Sequence, residues 1–437
     1  MSSRSMQTVG RAQRSSSRLA ATIPHPRAGR GERTSAVFEE NNVVRGTFEE
    51  INVDLGLDIH RRDGFDPVPE LRALMAQGPM PVLGVEDAPE GRTAWLAAGY
   101  DEIRHVLGSD KFSSKLLYRG TAAGFIFPGF LTQYDPPEHT RLRRMVTGPF
   151  AIRRIQGFRP QVEKIVEATL DDIESTGGPV DFVPHFGWPI ATTVTCDFVG
   201  IPRDDQAELS RALHASRAER SGKRRLAAGN KFWAYMNQVV TRTRRDPGDD
   251  LFGVVVREHG DEITDAELIG VAAFVMGAGG DQVARFLAAA AWLMVEEPEQ
   301  FAVLRDRPDT VPDWLDEVVR YITSDEKTTP RIALEDVRIS GCPIKAGDAV
   351  TPSFLAANRW NFPGPDDRFD ITREKPAHVA FGHGIHHCLG RSLAEMVFRV
   401  AIPALAHRFP TLRLAEPDRE VTLGRPPLNV EALRLTW

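Results

Sequence analysis

Cys388 is the residue of this chain best suited to chemistry. It stands in FGHGIHHCLG, Phe381 to Gly390, just before the helical run GRSLAEMVFRVA. Amide groups at a helix N-terminus favour an anion, which lowers a thiol pKa and populates the thiolate. Gly382, Gly384 and Gly390 permit tight turns and close approach of backbone to a flat ligand. A thiolate pushes electron density onto an iron it ligates and favours O–O cleavage, so this loop suits an iron porphyrin. Two plainer readings compete. A lone cysteine is most often a buried small apolar residue. His383, His386, His387 and Cys388 are also possible zinc ligands. Four ligands within six residues do not easily surround one tetrahedral ion.

The ten residues resemble the haem-binding signature of the cytochrome P450 family, Phe-x-x-Gly-x-His-x-Cys-x-Gly, with every fixed position present. The resemblance implies that Cys388 is the proximal ligand of heme b (iron protoporphyrin IX). It implies that His386 bonds a haem propionate. DEVVR adds Glu317 and Arg320, three apart on a helix and able to pair. Alone, such a pair is usually solvated surface. In position it resembles the family's Glu-x-x-Arg motif, and Arg368 in PDDRFD matches the arginine that joins it. The implied role is a buried charge network bracing the loop under the haem, since buried charge demands partners.

EHTRLRR sets His139 and Arg143 on one helical face. Alone it reads as a basic surface helix. It resembles the family's His-x-x-x-Arg helix, and Arg331 in TPRIALED matches a further cation. The resemblance implies propionate contacts for all three, a task that suits arginine. Arg141 and Arg144 remain for the outer surface, which in the family receives an acidic ferredoxin.

AFVMGAGGDQVARFL places Gly277, Gly279 and Gly280 inside a long helix. Each glycine costs ~1 kcal/mol relative to alanine, about 3 kcal/mol together. A local opening of the helix over a ligand would offset that cost; close helix packing is the rival explanation. The stretch resembles the family's oxygen-binding groove, Ala/Gly-Gly-x-Asp/Glu-Thr. Ala278, Gly279 and Asp281 fit, and Gln282 replaces the threonine. In the family the acid and the alcohol relay protons into the groove. An amide holds water but does not carry protons at neutral pH. Arg285 lies one turn beyond Asp281 on the same face.

These groups need a helical scaffold, and the text supplies one. Helical runs dominate from Pro137 to Gln300, and the longest begins at Thr264, where Thr264 and Glu267 form a capping box. PVPELRALMAQGP and YDEIRHVLGS also read as helices, while PVLGV and TAWLAAG read as short strands. After Arg331 the text alternates between glycine turns, as strands and hairpins do. Phe112 to Thr132 reads as a long loop. The expected fold is mainly α with a minor β region, a single-domain cytochrome P450 fold over residues 37–437. Residues 1–36, rich in Ser and Arg, read as a disordered tail.

The chain has 437 residues and a formal net charge of −6, which argues against a general nucleic-acid binder. Its three cysteines, Cys196, Cys342 and Cys388, form no disulfide framework and suit a reducing cytoplasm. The most apolar stretch, Leu268 to Val295, is interrupted by Asp281, Gln282 and Arg285, so no membrane anchor is expected. The expected protein is a monomer.

In the family this chain resembles, members that replace the groove threonine often have unusual reactions, including aryl or indole coupling. By that resemblance Gln282 tilts the expected activity toward oxidative radical coupling of a small aromatic natural product, of the aryl, indole or cyclic-dipeptide type. Conventional monooxygenation (hydroxylation or epoxidation) is the alternative, and a non-catalytic haem-thiolate sensor is the reading from another class. The resemblance implies dioxygen as the oxidant. With no flavin or nicotinamide domain attached, electrons would come from a ferredoxin and its ferredoxin reductase. Phe125, Phe127, Met276 and Gln282 are the candidate substrate contacts, by the family's loop and groove positions; plain core packing is the competing role for the aromatics.

Overall fold

The computed structural model describes residues 62–84, 93–115, 127–209, 222–307, 311, 313–323, 330–360, 367–374, 376–416, 421–423 and 428–437. The Ser/Arg-rich segment 1–36 and Phe125 lie outside them.

Helices provide the frame: α1 (Pro69–Met75), α2 (Tyr100–Gly108), α3 (Glu138–Thr147), α4 (Ile152–Ser175), α5 (Trp188–Val199), α6 (Gly222–Arg245), α7 (Leu251–His259), α8 (Asp265–Phe274), α9 (Asp281–Glu296), α10 (Pro298–Asp306), α11 (Trp314–Ile322), α12 (Phe354–Trp360) and α13 (Arg391–Arg408). Within the helical run expected from Pro137 to Gln300, residues 210–221 are not described.

The central element is the run from α8 to α9. Thr264 accepts a hydrogen bond from the Glu267 amide at 3.2 Å, and the Glu267 carboxylate accepts one from the Thr264 amide at 3.0 Å. This capping box satisfies two amides that a helix start otherwise leaves open. The helix then widens into a π-type turn over Val275–Gly280 before α9 begins. The glycine run therefore marks a real opening of the helix, as its cost suggested.

α9 is apolar on almost every side. Phe286, Leu287, Ala288, Ala289, Ala290 and Ala291 are all buried, as a core helix requires. It packs against α5 and α13. Phe286 stacks on Phe398 of α13 with ring centroids 3.9 Å apart. α13, the helix that follows Cys388, also lies along α4. The groove helix and the cysteine helix are thus locked to one core.

A five-stranded sheet stands beside the helices. Its strands are β1 (Val82–Gly84), β2 (Ala94–Ala97), β3 (Phe112–Ser113), β4 (Arg331–Ala333) and β5 (Ala349–Pro352), in the order β1-β2-β5-β4-β3. Only β2 and β5 run parallel, with Ala94 opposite Ala349. β4 carries Arg331 into the interior. A hairpin of Val337–Ile339 and Cys342–Ile344 follows β4, as the glycine-punctuated text predicts. All described residues fall in one compact unit, Val37–Trp437. Among them no helix is long and apolar enough to cross a membrane.

Candidate active site

The Cys388 loop is built by its own backbone. The Cys388 amide donates to the Phe381 carbonyl at 2.9 Å, and the Gly382 amide to Val379 at 2.7 Å. Gly382 and Gly384 adopt φ of +73° and +68°, a region that side chains rarely enter. Gly384 is required twice over, because a Cβ there would lie 2.1 Å from the Leu107 carbonyl of α2. These contacts present Cys388 three residues before the first residue of α13, near its amide end. Among the described residues no three His, Cys, Asp or Glu side chains are grouped to hold a metal ion, so the zinc alternative lacks a ligand set.

Beside the loop, α3 and β4 bring together His139, Arg143, Arg331 and His386. Arg143 donates to the His387 carbonyl at 2.7 Å. Burial pulls its pKa below the ordinary value, with the Cys388 sulfur acting in the opposite direction. The His139 and His386 rings meet edge to face at 4.4 Å between centroids. Burial pushes His386 down to about 2, and Arg331, His139 and Arg143 push the same way. Burial, then Arg143, pushes His139 down to about 4. Both Nε2 atoms are buried without a hydrogen-bond partner. A cluster of cations with two unspent imidazole nitrogens is short of negative charge. Paired carboxylates beside a thiolate-bound iron are what it lacks, so these residues fit a haem with its propionates.

The pair at the centre of the charge network under the loop is fully buried. Arg320 grips Glu317 with two hydrogen bonds of 2.7 and 2.8 Å, and neither side chain has any exposed surface. A third Arg320 donor reaches the Asn358 carbonyl at 2.9 Å. The part given to Arg368 needs correction. Arg368 is exposed and contributes its backbone carbonyl, 3.4 Å from Arg320. The guanidinium that approaches Glu317 is that of Arg373, at 3.3 Å, five residues further on. The turn between them also offers the Asp370 amide to Glu317 at 3.0 Å. Sequence position alone could not choose between two arginines in one turn.

Asn358 was missed altogether. Its Oδ1 accepts from the Val379 amide at 2.8 Å and its Nδ2 donates to Thr323 at 2.9 Å. It ties the Glu317–Arg320 pair directly to the start of the cysteine loop. The only signal was a polar residue inside the apolar text of α12.

In the groove, Asp281 opens α9 and forms an ion pair with Arg285 at 3.2 Å. Gln282 follows, and its Oε1 is buried without a partner. Met276 and Phe127 are buried, at 3% and 2% exposure. Phe127 packs on Phe130, which meets Phe274 of α8 edge to face at 5.8 Å. The segment sits close because Gly270 has no side chain; a Cβ there would strike the Pro128 carbonyl. Both residues therefore occupy packed positions beside the groove. Arg141 and Arg144, expected on the outer surface, are exposed there and pair with Glu267 and Glu262.

Comparison with known proteins agrees with this geometry. The family model for Cytochrome P450 matches residues 311–430. Cytochrome P450 165A3 of Amycolatopsis orientalis is 75% identical over 401 residues, covering 92% of this chain and all of that protein. The structure of OxyA from Actinoplanes teichomyceticus is 73% identical with a TM-score of 0.84, covering 89% of this chain and all of that one. OxyC, a cytochrome P450 implicated in an oxidative C–C coupling reaction during vancomycin biosynthesis, is 35% identical with a TM-score of 0.79, covering 86% of this chain and 96% of that one. With a glycine-turned Cys388 loop, a buried group of arginines and histidines beside it and relatives matching along nearly its whole described length, this chain belongs to the cytochrome P450 family of haem-dependent oxidoreductases.

Proposed function

We propose that this enzyme joins aromatic rings by oxidative coupling, on an aromatic peptide precursor of a glycopeptide antibiotic. The observation that carries the reading is Gln282. It puts an amide with an unspent carbonyl oxygen where the family's groove has a hydroxyl. A similar protein whose reaction is named as oxidative C–C coupling supports the same choice.

Cys388 would hold the iron of heme b, and His139, Arg143, Arg331 and His386 would hold its propionates. When bound, the haem supplies one-electron oxidation of the substrate driven by reduction of dioxygen. The chain's own residues do the rest. Arg143 and the amide end of α13 favour the anionic form of Cys388. Gly382 and Gly384 make the left-handed turns that shape the loop, and Gly384 lets it pack against α2. Asp281 and Gln282 are the polar groups that manage protons and water in the groove. Met276 and Phe127 support its wall. In the net reaction one bond forms between two rings and two hydrogens leave. Those two hydrogens, dioxygen, two electrons from the redox partner and two protons end as two waters. A ferredoxin and its reductase provide the electrons to a cytoplasmic, monomeric enzyme.

Conventional monooxygenation is the second reading, and Asp281 favours it because a proton-handling acid is retained in the groove. Product mass separates the two. The haem-loaded enzyme is incubated with ferredoxin, reductase, NADPH and linear peptides bearing phenolic side chains. A product lighter by two hydrogens supports coupling. A product heavier by one oxygen overturns it in favour of monooxygenation.

A further inference from the structure

The groove holds polar groups that the residues around them leave unspent. Arg285 Nε lies 3.2 Å from Asp281 Oδ2, with only 19% and 15% of the two side chains exposed. That is ion-pair distance, yet the N–H is not aligned for a hydrogen bond, and both Nε and Nη1 of Arg285 are buried without an acceptor. Gln282 Oε1 is buried without a donor. Gln282 and Arg285 are three residues apart on α9, so their Cβ atoms stand ~5–6 Å apart on one face. Ala278, four residues before Gln282, is exposed in the middle of the central helix run. The stripe of 278, 282 and 285 therefore borders accessible space.

Buried donors and acceptors left unmade are costly, and proteins meet them with ordered water. Such a water needs two to four polar partners. Two guanidinium N–H groups, an amide oxygen and a neighbouring carboxylate supply that number.

We infer that Arg285 is a positioning residue for proton supply to the groove, fixing the Asp281 carboxylate and, with Gln282 Oε1, one ordered water. Gln282 does not ionise near neutral pH. It holds the water, and the water passes the proton that a side-chain hydroxyl passes elsewhere in the family. Arg285 keeps acid and water in register, one helical turn apart. The inference rests on the oxidase reading of the same site.

Arg285→Gln and Arg285→Lys in the haem-loaded protein test it, with three readouts. A crystal structure locates the water and the Asp281 carboxylate. The infrared C–O stretch of the reduced carbon monoxide complex reports polar groups at the groove without turnover. Oxygen consumption in H2O and D2O, driven by a surrogate ferredoxin and reductase, reports proton supply. The expected result is a water within hydrogen-bond distance of Gln282 Oε1 and Arg285 in the wild type. In Arg285→Gln that water is lost, the C–O band moves and the solvent isotope effect at least doubles, while Arg285→Lys recovers part of each. A wild-type structure without the water, or an Arg285→Gln protein with unchanged band and isotope effect, overturns the inference. If those variants match a wild type that retains a haem-thiolate spectrum, this inference alone fails. If the wild type lacks that spectrum, the oxidase reading fails with it.

Discussion

Two buried clusters of charge flank the Cys388 loop, and they differ in one respect. Around Glu317 the bonds close. Its two oxygens take three hydrogen bonds from Arg320 and the Asp370 amide, and Arg373 adds charge. Around His386 they do not close: cations crowd together and two imidazole nitrogens have no partner. The closed cluster is a brace, its carboxylate satisfied from within the chain. The open cluster has the chemistry of a socket for the propionates proposed above. What tells the two apart is whether the chain itself supplies a bonded carboxylate for the cations.

Breaking the brace should cost most. Glu317→Gln removes the carboxylate that grips buried Arg320 and leaves it only Asp367 at 4.0 Å among the carboxylates described, a loss of ~3–5 kcal/mol. Urea unfolding of the variant should show that drop, together with poor haem retention. A loss below ~1 kcal/mol would mean that water or another group replaces the carboxylate.

The socket should reveal itself through pH. His139 has a folded-state value of about 4 against an ordinary 6.5. The unfolded chain therefore takes up that proton first as pH falls. Haem-free protein should hold this part of its stability above pH ~6.5 and lose on the order of 3 kcal/mol by pH ~4. Haem should blunt the loss, because propionates favour the protonated ring. Denaturation curves of both forms across that range check the contrast, and parallel curves would break it.

Removing one socket contact should do less. Arg331→Leu forfeits a charge-assisted hydrogen bond of ~1.5–3 kcal/mol, or roughly ten- to a hundred-fold in haem affinity. Transfer of haem to apomyoglobin measures it. Overall stability of the haem-free protein should change little or rise, as one of the crowded cations is gone.

The smallest effect on stability belongs to the groove. Gln282→Thr should change folding by less than ~1 kcal/mol. It should instead raise the share of oxygen-inserted product relative to coupled product, read by mass spectrometry.

Local signals carried much of this into the sequence. The Thr264–Glu267 cap, the glycine run and the Phe381–Gly390 turn are each set by neighbours within a few residues, so pattern alone exposes them. The long-range partners were hidden. Asn358 joins Thr323 and Val379 across tens of residues, and nothing about an asparagine in apolar text says which groups it will meet. Arg373 displaced Arg368 because the turn around Asp370 decides which side chain points inward. Burial of Phe127 depended on Gly270, more than a hundred residues away. Phe125 lies outside the described residues.

The central claim is that Cys388 is the thiolate ligand of a haem. The optical spectrum of the dithionite-reduced protein, with and without carbon monoxide, tests it most directly, alongside Cys388→His. A strongly red-shifted Soret band in the wild type, lost in a variant that still binds haem, is the predicted result. A folded wild-type protein with no such band, or a variant that keeps it, would contradict the assignment and leave Cys388 an ordinary thiol.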